Sequence, residues 1–244
     1  MTFKGLAGPF FAKVFRQIDE VCQQFGVPAY LIGAQARNIH FSEKGVRPPR
    51  GTKDIDFAIM LPDLKVYDAI CGELENRGFK RVREPYRMIH KDSDTVVDLL
   101  PFGEVEEEGT VKFTDRNTEL SMLGMKEVME SAEEKQLDEM IIKVPPLAGI
   151  FILKLIAYSD RPDRKKDLDD IKDIFLNYFE INEDRIYAET KDEMDQISVD
   201  NFRREAGAVL LGKDLKPILQ RSAELEDRIV RMIMAEITQE EGSI

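Results

Sequence analysis

The sequence predicts an α+β fold in which a mixed β-sheet with flanking helices is followed by a C-terminal helical bundle. Before residue 145, apolar runs of strand length alternate with stretches of helical periodicity. Pro145 and Pro146 interrupt this alternation, and nearly every later segment has helical periodicity. We therefore expect two domains, an α/β core over residues 1–144 and a helical domain over residues 145–244.

The elements of the first half follow from the spacing of apolar residues and from glycine stops. Residues 10–25 place Phe11, Val14 and Ile18 on one face of a helix, which Gly26 ends. The same reasoning predicts further helices at 35–41, 64–76 and 127–139. Strands are predicted at 29–32, 54–61, 79–83, 86–91, 95–101 and 141–144, with an acidic turn at 104–109.

The second half consists of apolar and amphipathic helical segments. The first of them is strongly apolar and follows directly after the two prolines. The predicted helices cover residues 147–158, 168–179, 199–211 and 222–237.

Composition limits the functional classes. The formal net charge of −12 argues against nonspecific binding of nucleic acid over the whole surface, although a local basic groove remains compatible with it. No apolar run is long enough to cross a membrane, and the first residues lack the apolar core of a signal peptide. The two cysteines, Cys22 and Cys71, lie in helix-like apolar patterns and are expected to be buried thiols. These observations favour a cytoplasmic protein with no membrane partner.

The segment RGTKDIDFAI, residues 50–59, contains the most informative pattern of the chain. On a strand, Asp54 and Asp56 point to one face, while Ile55, Phe57 and Ile59 point to the other, into a core. Two neighbouring carboxylates repel each other unless a cation lies between them. Oxygen ligands favour a hard cation such as Mg²⁺. The alternative is a strand end whose aspartates face water.

Two further features support a site. Gly33 follows an apolar strand and opens a helix, whose N-terminal N–H groups suit an anion such as phosphate. Asp98 lies inside the apolar run VVDLL, where a charge is costly unless it is paired or bound to a metal. A salt bridge to Arg83 or Arg87 is the alternative for Asp98.

Taken together, Asp54, Asp56 and Asp98 predict a two-metal site for phosphoryl transfer, with all three as metal ligands and catalytic residues. Lys154 lies among apolar residues in GIFILKLIAY and therefore needs an anionic partner, unless it reaches the surface along its stem. That partner is either a triphosphate or an aspartate, and Asp167 with Asp170 could orient the lysine.

A basic cluster and residues near the glycine turn complete the candidate nucleotide-binding set. Lys154 and Arg161 share one helix face, and residues 161–166 hold the densest group of basic residues. The nucleotide-binding candidates are Gly33, Ala34, Arg37, Arg50, Thr52, Lys154, Arg161, Lys166 and Asp167. Arg37 and Arg50 could instead clamp an aspartate, and a surface salt bridge is a further alternative for Arg37.

The ordered motifs resemble the nucleotidyltransferase superfamily of DNA polymerase β type. The resemblance rests on the Gly33-Ala34 turn, the Arg50-x-Thr52-x-Asp54-x-Asp56 segment and Asp98 on a later strand. The stretches LKLIAYSDRPDRKKDLDDI and AGAVLLGKDL are more specifically similar to predicted nucleotidyltransferases grouped with AbiEii-type toxins. The resemblance covers roughly residues 29–215, and Gln35 departs from it by removing a hydroxyl that often touches phosphate.

This resemblance implies a nucleotidyltransferase-type sheet, two Mg²⁺ ions and an NTP substrate, with a helical domain closing the active-site cleft. The implied reaction moves a nucleoside monophosphate to an acceptor hydroxyl of a tRNA, a protein or a small molecule, and releases pyrophosphate. A toxin with an antitoxin partner would use the same chemistry. A noncatalytic protein that senses a nucleotide or binds a partner in the same cleft is the alternative from another class.

Overall fold

The computed structural model of the chain describes residues 11–48 and 54–241. Its strands are β1 Ala29–Ile32, β2 Ile55–Met60, β3 Phe79–Arg81, β4 Arg87–His90, β5 Thr95–Phe102, β6 Thr110–Phe113, β7 Thr118–Ser121, β8 Glu133–Leu137 and β9 Met140–Val144. Its α-helices are α1 Phe11–Gln24, α2 Gly33–Glu43, α3 Leu64–Asn76, α4 Met125–Met129, α5 Leu147–Asp160, α6 Lys165–Ile181, α7 Glu183–Glu189, α8 Phe202–Leu219 and α9 Ala223–Glu241. The predicted α+β class, a mixed sheet with flanking helices followed by C-terminal helices, is confirmed.

A mixed sheet forms the centre of the molecule. Within the described ranges it has seven strands in the order β3-β4-β5-β2-β1-β9-β8, and β6 pairs with β7 in a separate hairpin. The β2–β5 and β1–β9 pairs are parallel, whereas β1–β2 and β4–β5 are antiparallel. The strands that carry the candidate site, β1, β2 and β5, therefore lie side by side in the middle of the sheet.

The two faces of β2 have different surroundings. Ile55, Phe57 and Ile59 are buried, and the Phe57 ring lies 5.2 Å from the ring of Phe15 on α1. Asp56 projects from the opposite face because side chains alternate along a strand. The alternation read from the sequence thus places the acidic face of β2 away from the α1 side of the core.

The helices of the second half pack beside this sheet. α5 and α6 lie against each other and against α2, and α8 packs on both α5 and α6. The predicted buried thiols are confirmed, since Cys22 and Cys71 are buried and unpaired. None of the helices in residues 11–48 and 54–241 combines the length and the apolar character that a membrane span requires.

The predicted helix over residues 127–139 is wrong. α4 ends at Met129, and β8 then forms an edge strand that pairs with β9 in antiparallel register. The charged sequence of β8 has a helix-like composition, but ladder hydrogen bonds to β9 and burial of Leu137 hold it in the sheet. The sequence also did not predict α7 or the β6–β7 hairpin, into which the acidic turn at 104–109 leads.

Candidate active site

Four residues form a row across the sheet. Ile32 on β1 lies opposite Asp56 on β2, which lies opposite Asp98 on β5, which in turn lies opposite Arg87 on β4. Residues that are directly opposite in neighbouring strands point to the same face. The two aspartates that the sequence placed on separate strands are therefore nearest neighbours.

Gly33 packs directly against the carboxylate of Asp56. The glycine has a φ of +67° and begins α2 immediately after the row residue Ile32. A Cβ at this position would collide with Oδ2 of Asp56 and would lie 3.0 Å from its Cγ. Position 33 thus requires glycine both for its backbone conformation and for the close approach of the acid.

We expect Gly33→Ala to lower the thermal stability of the protein more than Gly45→Ala does. Gly45 has a similar φ of +72°, but a Cβ there would meet nothing within 4 Å, so that variant measures backbone strain alone. Thermal unfolding of both variants in parallel isolates the collision with Asp56. Equal losses of stability would contradict the proposed packing of Gly33 on the acid.

Asp98 is held by Arg87. The guanidinium donates from Nε to Oδ1 and from Nη2 to Oδ2 of Asp98, both at 2.7 Å. These hydrogen bonds raise the pKa of Arg87. The structure decides between the two arginines that the sequence left open for Asp98, and the carboxylate still lines the cavity described below.

Asp56 has a perturbed acidity. Its pKa is raised to about 7, chiefly by burial and then by the negative charge of Asp98, with a smaller contribution from Asp54. Lys154 and Arg164 act in the opposite direction. Without a cation beside it, Asp56 therefore keeps its proton to a higher pH than an ordinary aspartate, as expected for carboxylates that share a site.

Lys154 on α5 is enclosed by aspartates of α6. Its Nζ lies 2.8 Å from Oδ1 of Asp167 and 2.8 Å from Oδ2 of Asp170. Arg164 Nε lies 3.2 Å from the other oxygen of Asp167. The lysine therefore has the anionic partners that its apolar sequence context required, and it also faces the cavity.

Arg37 clamps aspartates, which is one of the roles that the sequence left open for it, and it does not line the cavity. Its side chain is completely buried, and Nη1 bonds to Asp170 and lies 3.2 Å from Asp173. Nε and Nη2 donate to the side-chain oxygen of Asn38 at 3.3 and 3.1 Å. The guanidinium ties α2 to α6 and has no exposed surface for the nucleotide contact expected of it.

The cavity beside the row has a volume of about 610 Å³ and is lined by both charged and apolar residues. The charged or sheet-derived lining residues include the aspartate pair and Gly33, together with Lys154, Arg161 and Arg164. The apolar lining residues include Leu120, Met122, Leu123, Met125, Leu153 and Ile156. Such a cavity suits a small ligand with a charged end and an apolar body.

The predicted site residues fall into three groups. Gly33, Asp56, Asp98, Lys154, Arg161 and Asp167 line the cavity. Asp54, Ala34, Arg37 and Lys166 lie outside its lining. Arg50 and Thr52 lie outside the described residues, so the structure places neither.

Several lining residues were not in the predicted set. Glu84, Tyr86, Arg87, Glu119 and Ser121 reach the cavity from β4, β7 and the segment before β4. Arg87 was named only as a partner for Asp98. The others carry no local signal, because Glu119 and Ser121 lie on β7, and Glu84 and Tyr86 lie in the segment before β4, so only the tertiary fold brings them to the cavity.

The metal prediction can be tested against the donor groups. Among the residues that the structure describes, no three carboxylate, imidazole or thiol groups are placed to hold a metal ion. The adjacent oxygens of Asp56 and Asp98 nevertheless suit Mg²⁺, and the raised pKa of Asp56 marks a carboxylate that a cation would stabilise. The donor chemistry fits the ion, and the Arg87 guanidinium competes with it.

The chain matches no family model and no curated protein. Solved structures similar to it include ANT(2")-Ia in complex with adenylyl-2"-tobramycin, at 12% identity and a TM-score of 0.44 over 66% of this chain and 84% of that one. Another is an antigenic nucleotidyltransferase-like protein from Paracoccidioides brasiliensis. It is 14% identical, with a TM-score of 0.44 over 88% of this chain and 94% of that one. A third is the CdnE cyclic dinucleotide synthase of Elizabethkingia meningoseptica with GTP and Apcpp. It is 14% identical, with a TM-score of 0.31 over 91% of this chain and 78% of that one. The likeness is one of overall shape, and conclusions about chemistry depend on the site itself.

Proposed function

We propose that the protein is an Mg²⁺-dependent nucleotidyltransferase that moves a nucleoside monophosphate from an NTP to an acceptor hydroxyl and releases pyrophosphate. The observation that carries this proposal is the placement of Asp56 and Asp98 side by side, next to Gly33 and facing a cavity lined by four cationic side chains. A carboxylate pair and basic residues around one cavity match the needs of a metal-bound triphosphate.

The roles of the residues follow from their positions. Asp56 and Asp98, which lie side by side, would hold Mg²⁺, which when bound neutralises the charge of the triphosphate. Asp54 as a third ligand and a second Mg²⁺ ion rest on the sequence resemblance, because Asp54 does not line the cavity. Lys154 and Arg161 bind phosphate oxygens in the same cavity, while Asp167 orients Lys154. The first N–H groups of α2, beginning at Gly33, point to the same anion.

Two carboxylates that line the cavity indicate the charge of the acceptor. Glu84 and Glu119 line the cavity, are exposed, and have no ion-pair partner within the described part of the chain. Two unpaired negative charges repel a polyanion such as tRNA. We therefore propose a small neutral or cationic hydroxyl compound as the acceptor, ahead of a tRNA or a protein.

Membership of the AbiEii-like group, a toxin role and an antitoxin partner form a separate part of the proposal. They are supported by the LKLIAYSDRPDRKKDLDDI stretch, which in the structure supplies Lys154, Arg161, Arg164 and Asp167 to the cavity. Growth arrest on expression, relieved by a neighbouring gene product, is the expected result for a toxin. Normal growth at high expression would contradict that role without affecting the transfer reaction.

The transfer reaction is tested with each of the four α-labelled NTPs, Mg²⁺ and a cell extract separated into small-molecule and macromolecular fractions. We expect one NTP to release pyrophosphate and to label a compound of the small-molecule fraction, and EDTA to abolish both signals. Absence of label and of pyrophosphate with every NTP would contradict the proposal.

A noncatalytic nucleotide-binding protein is the second candidate, and the Arg87–Asp98 pair favours it. Both oxygens of Asp98 are engaged by the guanidinium, and no three-ligand metal site is present among the described residues. Stoichiometric Mg²⁺-dependent NTP binding without pyrophosphate release in the same assay would select this candidate.

A further inference from the structure

Arg87 occupies a position that connects the metal ligands to the nucleotide side of the cavity. It ends the row of Ile32, Asp56 and Asp98, and its two donors engage both oxygens of Asp98. Its side chain is 36% exposed, whereas that of Asp98 is 14% exposed, and both residues line the cavity. The guanidinium therefore holds Asp98 from a position that remains accessible from the cavity.

The other cations of the cavity have different partners. Lys154 and Arg164 pair with Asp167, whose side chain is 1% exposed, on α6. Among the lining cations that the structure describes, Arg87 is the one whose ion-pair partner is a candidate metal ligand. Its charge compensates part of the repulsion between Asp56 and Asp98, which is the task that a divalent cation would perform.

This arrangement links two binding events. A cation that binds Asp98 competes for oxygens that already accept two charge-assisted hydrogen bonds, so metal binding without nucleotide is weakened. A guanidinium that loses Asp98 stays beside the cavity, where phosphate oxygens offer it equivalent bidentate acceptors. Each ligand thereby favours the other, and the coupling is reciprocal.

We propose that Arg87 is a positioning residue that couples metal binding to nucleotide binding: it holds Asp98 while the cavity lacks nucleotide and pairs with phosphate when metal takes Asp98. This inference rests on the proposed function. As a result, the site binds metal and nucleotide tightly together and binds either one weakly when it is alone.

The test compares wild type, Arg87→Gln, Arg87→Lys and Arg161→Gln in two binding measurements. The first is titration of Mn²⁺ alone, followed by the electron paramagnetic resonance signal of free Mn²⁺. The second is calorimetry of Mn²⁺-triphosphate, prepared from inorganic triphosphate, into the Mn²⁺-loaded protein. The inorganic probe avoids any dependence on the identity of the base.

We expect Arg87→Gln to bind Mn²⁺ alone about tenfold more tightly and Mn²⁺-triphosphate about tenfold more weakly, each a change of about 1.4 kcal/mol. Arg161→Gln should weaken only the second affinity, because Arg161 lines the cavity without an ion pair to Asp98. Arg87→Lys retains the charge but loses the bidentate geometry, and its Mn²⁺ affinity should lie between those of wild type and Arg87→Gln.

Opposite shifts of the two affinities cannot arise from a general loosening of β4, which would weaken both. Unchanged or weaker binding of Mn²⁺ alone by both Arg87 variants would overturn the inference and leave the proposed function intact. Failure of the wild type to bind Mn²⁺-triphosphate would overturn the inference and the proposed function together.

Discussion

Asp56→Asn is expected to abolish nucleotidyl transfer and to raise the free energy of unfolding of the metal-free protein above pH 7. The loss of transfer should be at least about 10³-fold, since the amide removes a charge that the reaction requires. The gain in stability follows from the raised pKa of Asp56, about 7 in the folded protein. The ionised carboxylate of Asp56 thus lowers the free energy of unfolding at the pH at which its charge is needed for nucleotidyl transfer.

The sign of the pH effect follows from proton binding. Between about pH 4, the ordinary pKa of an unfolded aspartate, and pH 7, the folded state retains a proton that the unfolded state has lost. Wild-type stability at this site therefore falls as the pH rises through that interval. The amide of the variant does not titrate, so its advantage over wild type should be absent near pH 4 and reach about 4 kcal/mol above pH 7.

Denaturant unfolding in EDTA at several pH values measures this difference. Glu119→Gln removes an exposed carboxylate from the same cavity and should leave the pH dependence unchanged. A wild-type rate of transfer in Asp56→Asn would remove Asp56 from the proposed machinery. A stability gap that is independent of pH would contradict the raised pKa as its cause.

Arg37→Met is expected to lower the free energy of unfolding by about 3–5 kcal/mol, the range for breaking a buried ion pair from one side. The fully buried guanidinium faces Asp170 and Asp173. Methionine carries no charge, so it would leave the negative charges of these acids only partly neutralised away from water. Lys154 still contacts Asp170, which prevents a larger loss.

Arg203→Met serves as the matched control for this prediction. Arg203 pairs with Glu180 at 3.2 Å, but its side chain is 72% exposed, so its removal should change the stability by less than about 1 kcal/mol. Denaturant unfolding of both variants at pH 7 gives the comparison. If Arg37→Met loses no more stability than Arg203→Met, the buried network does not stabilise the fold as inferred.

The fold was predictable wherever local pattern and tertiary environment agree. The alternation in residues 54–59 assigned Asp56 and Phe57 to opposite faces, and the structure has them so. The pattern failed at β8, because pairing with β9 overrides the composition of a charged segment.

The same distinction applies to the site. The adjacency of Asp56 and Asp98, and the aspartate partners of Lys154, follow from motifs and from the cost of a buried charge. The choice of Arg87 over Arg83 depends on the register of β4 against β5, and a slip of one residue would turn the side chain to the other face. The burial of Arg37 depends on Asp170, which is 133 positions away in the chain, a separation that no local pattern spans.

That separation has a consequence for biosynthesis. Translation delivers Arg37 well before the acids of α6 that enclose it. A nascent chain that ends before Asp170 therefore carries an arginine whose buried ion-pair partner is not yet present. Docking of α2 must then wait until α6 has left the ribosome. Prematurely terminated chains are consequently expected to remain incompletely folded and to be bound by chaperones or degraded by proteases.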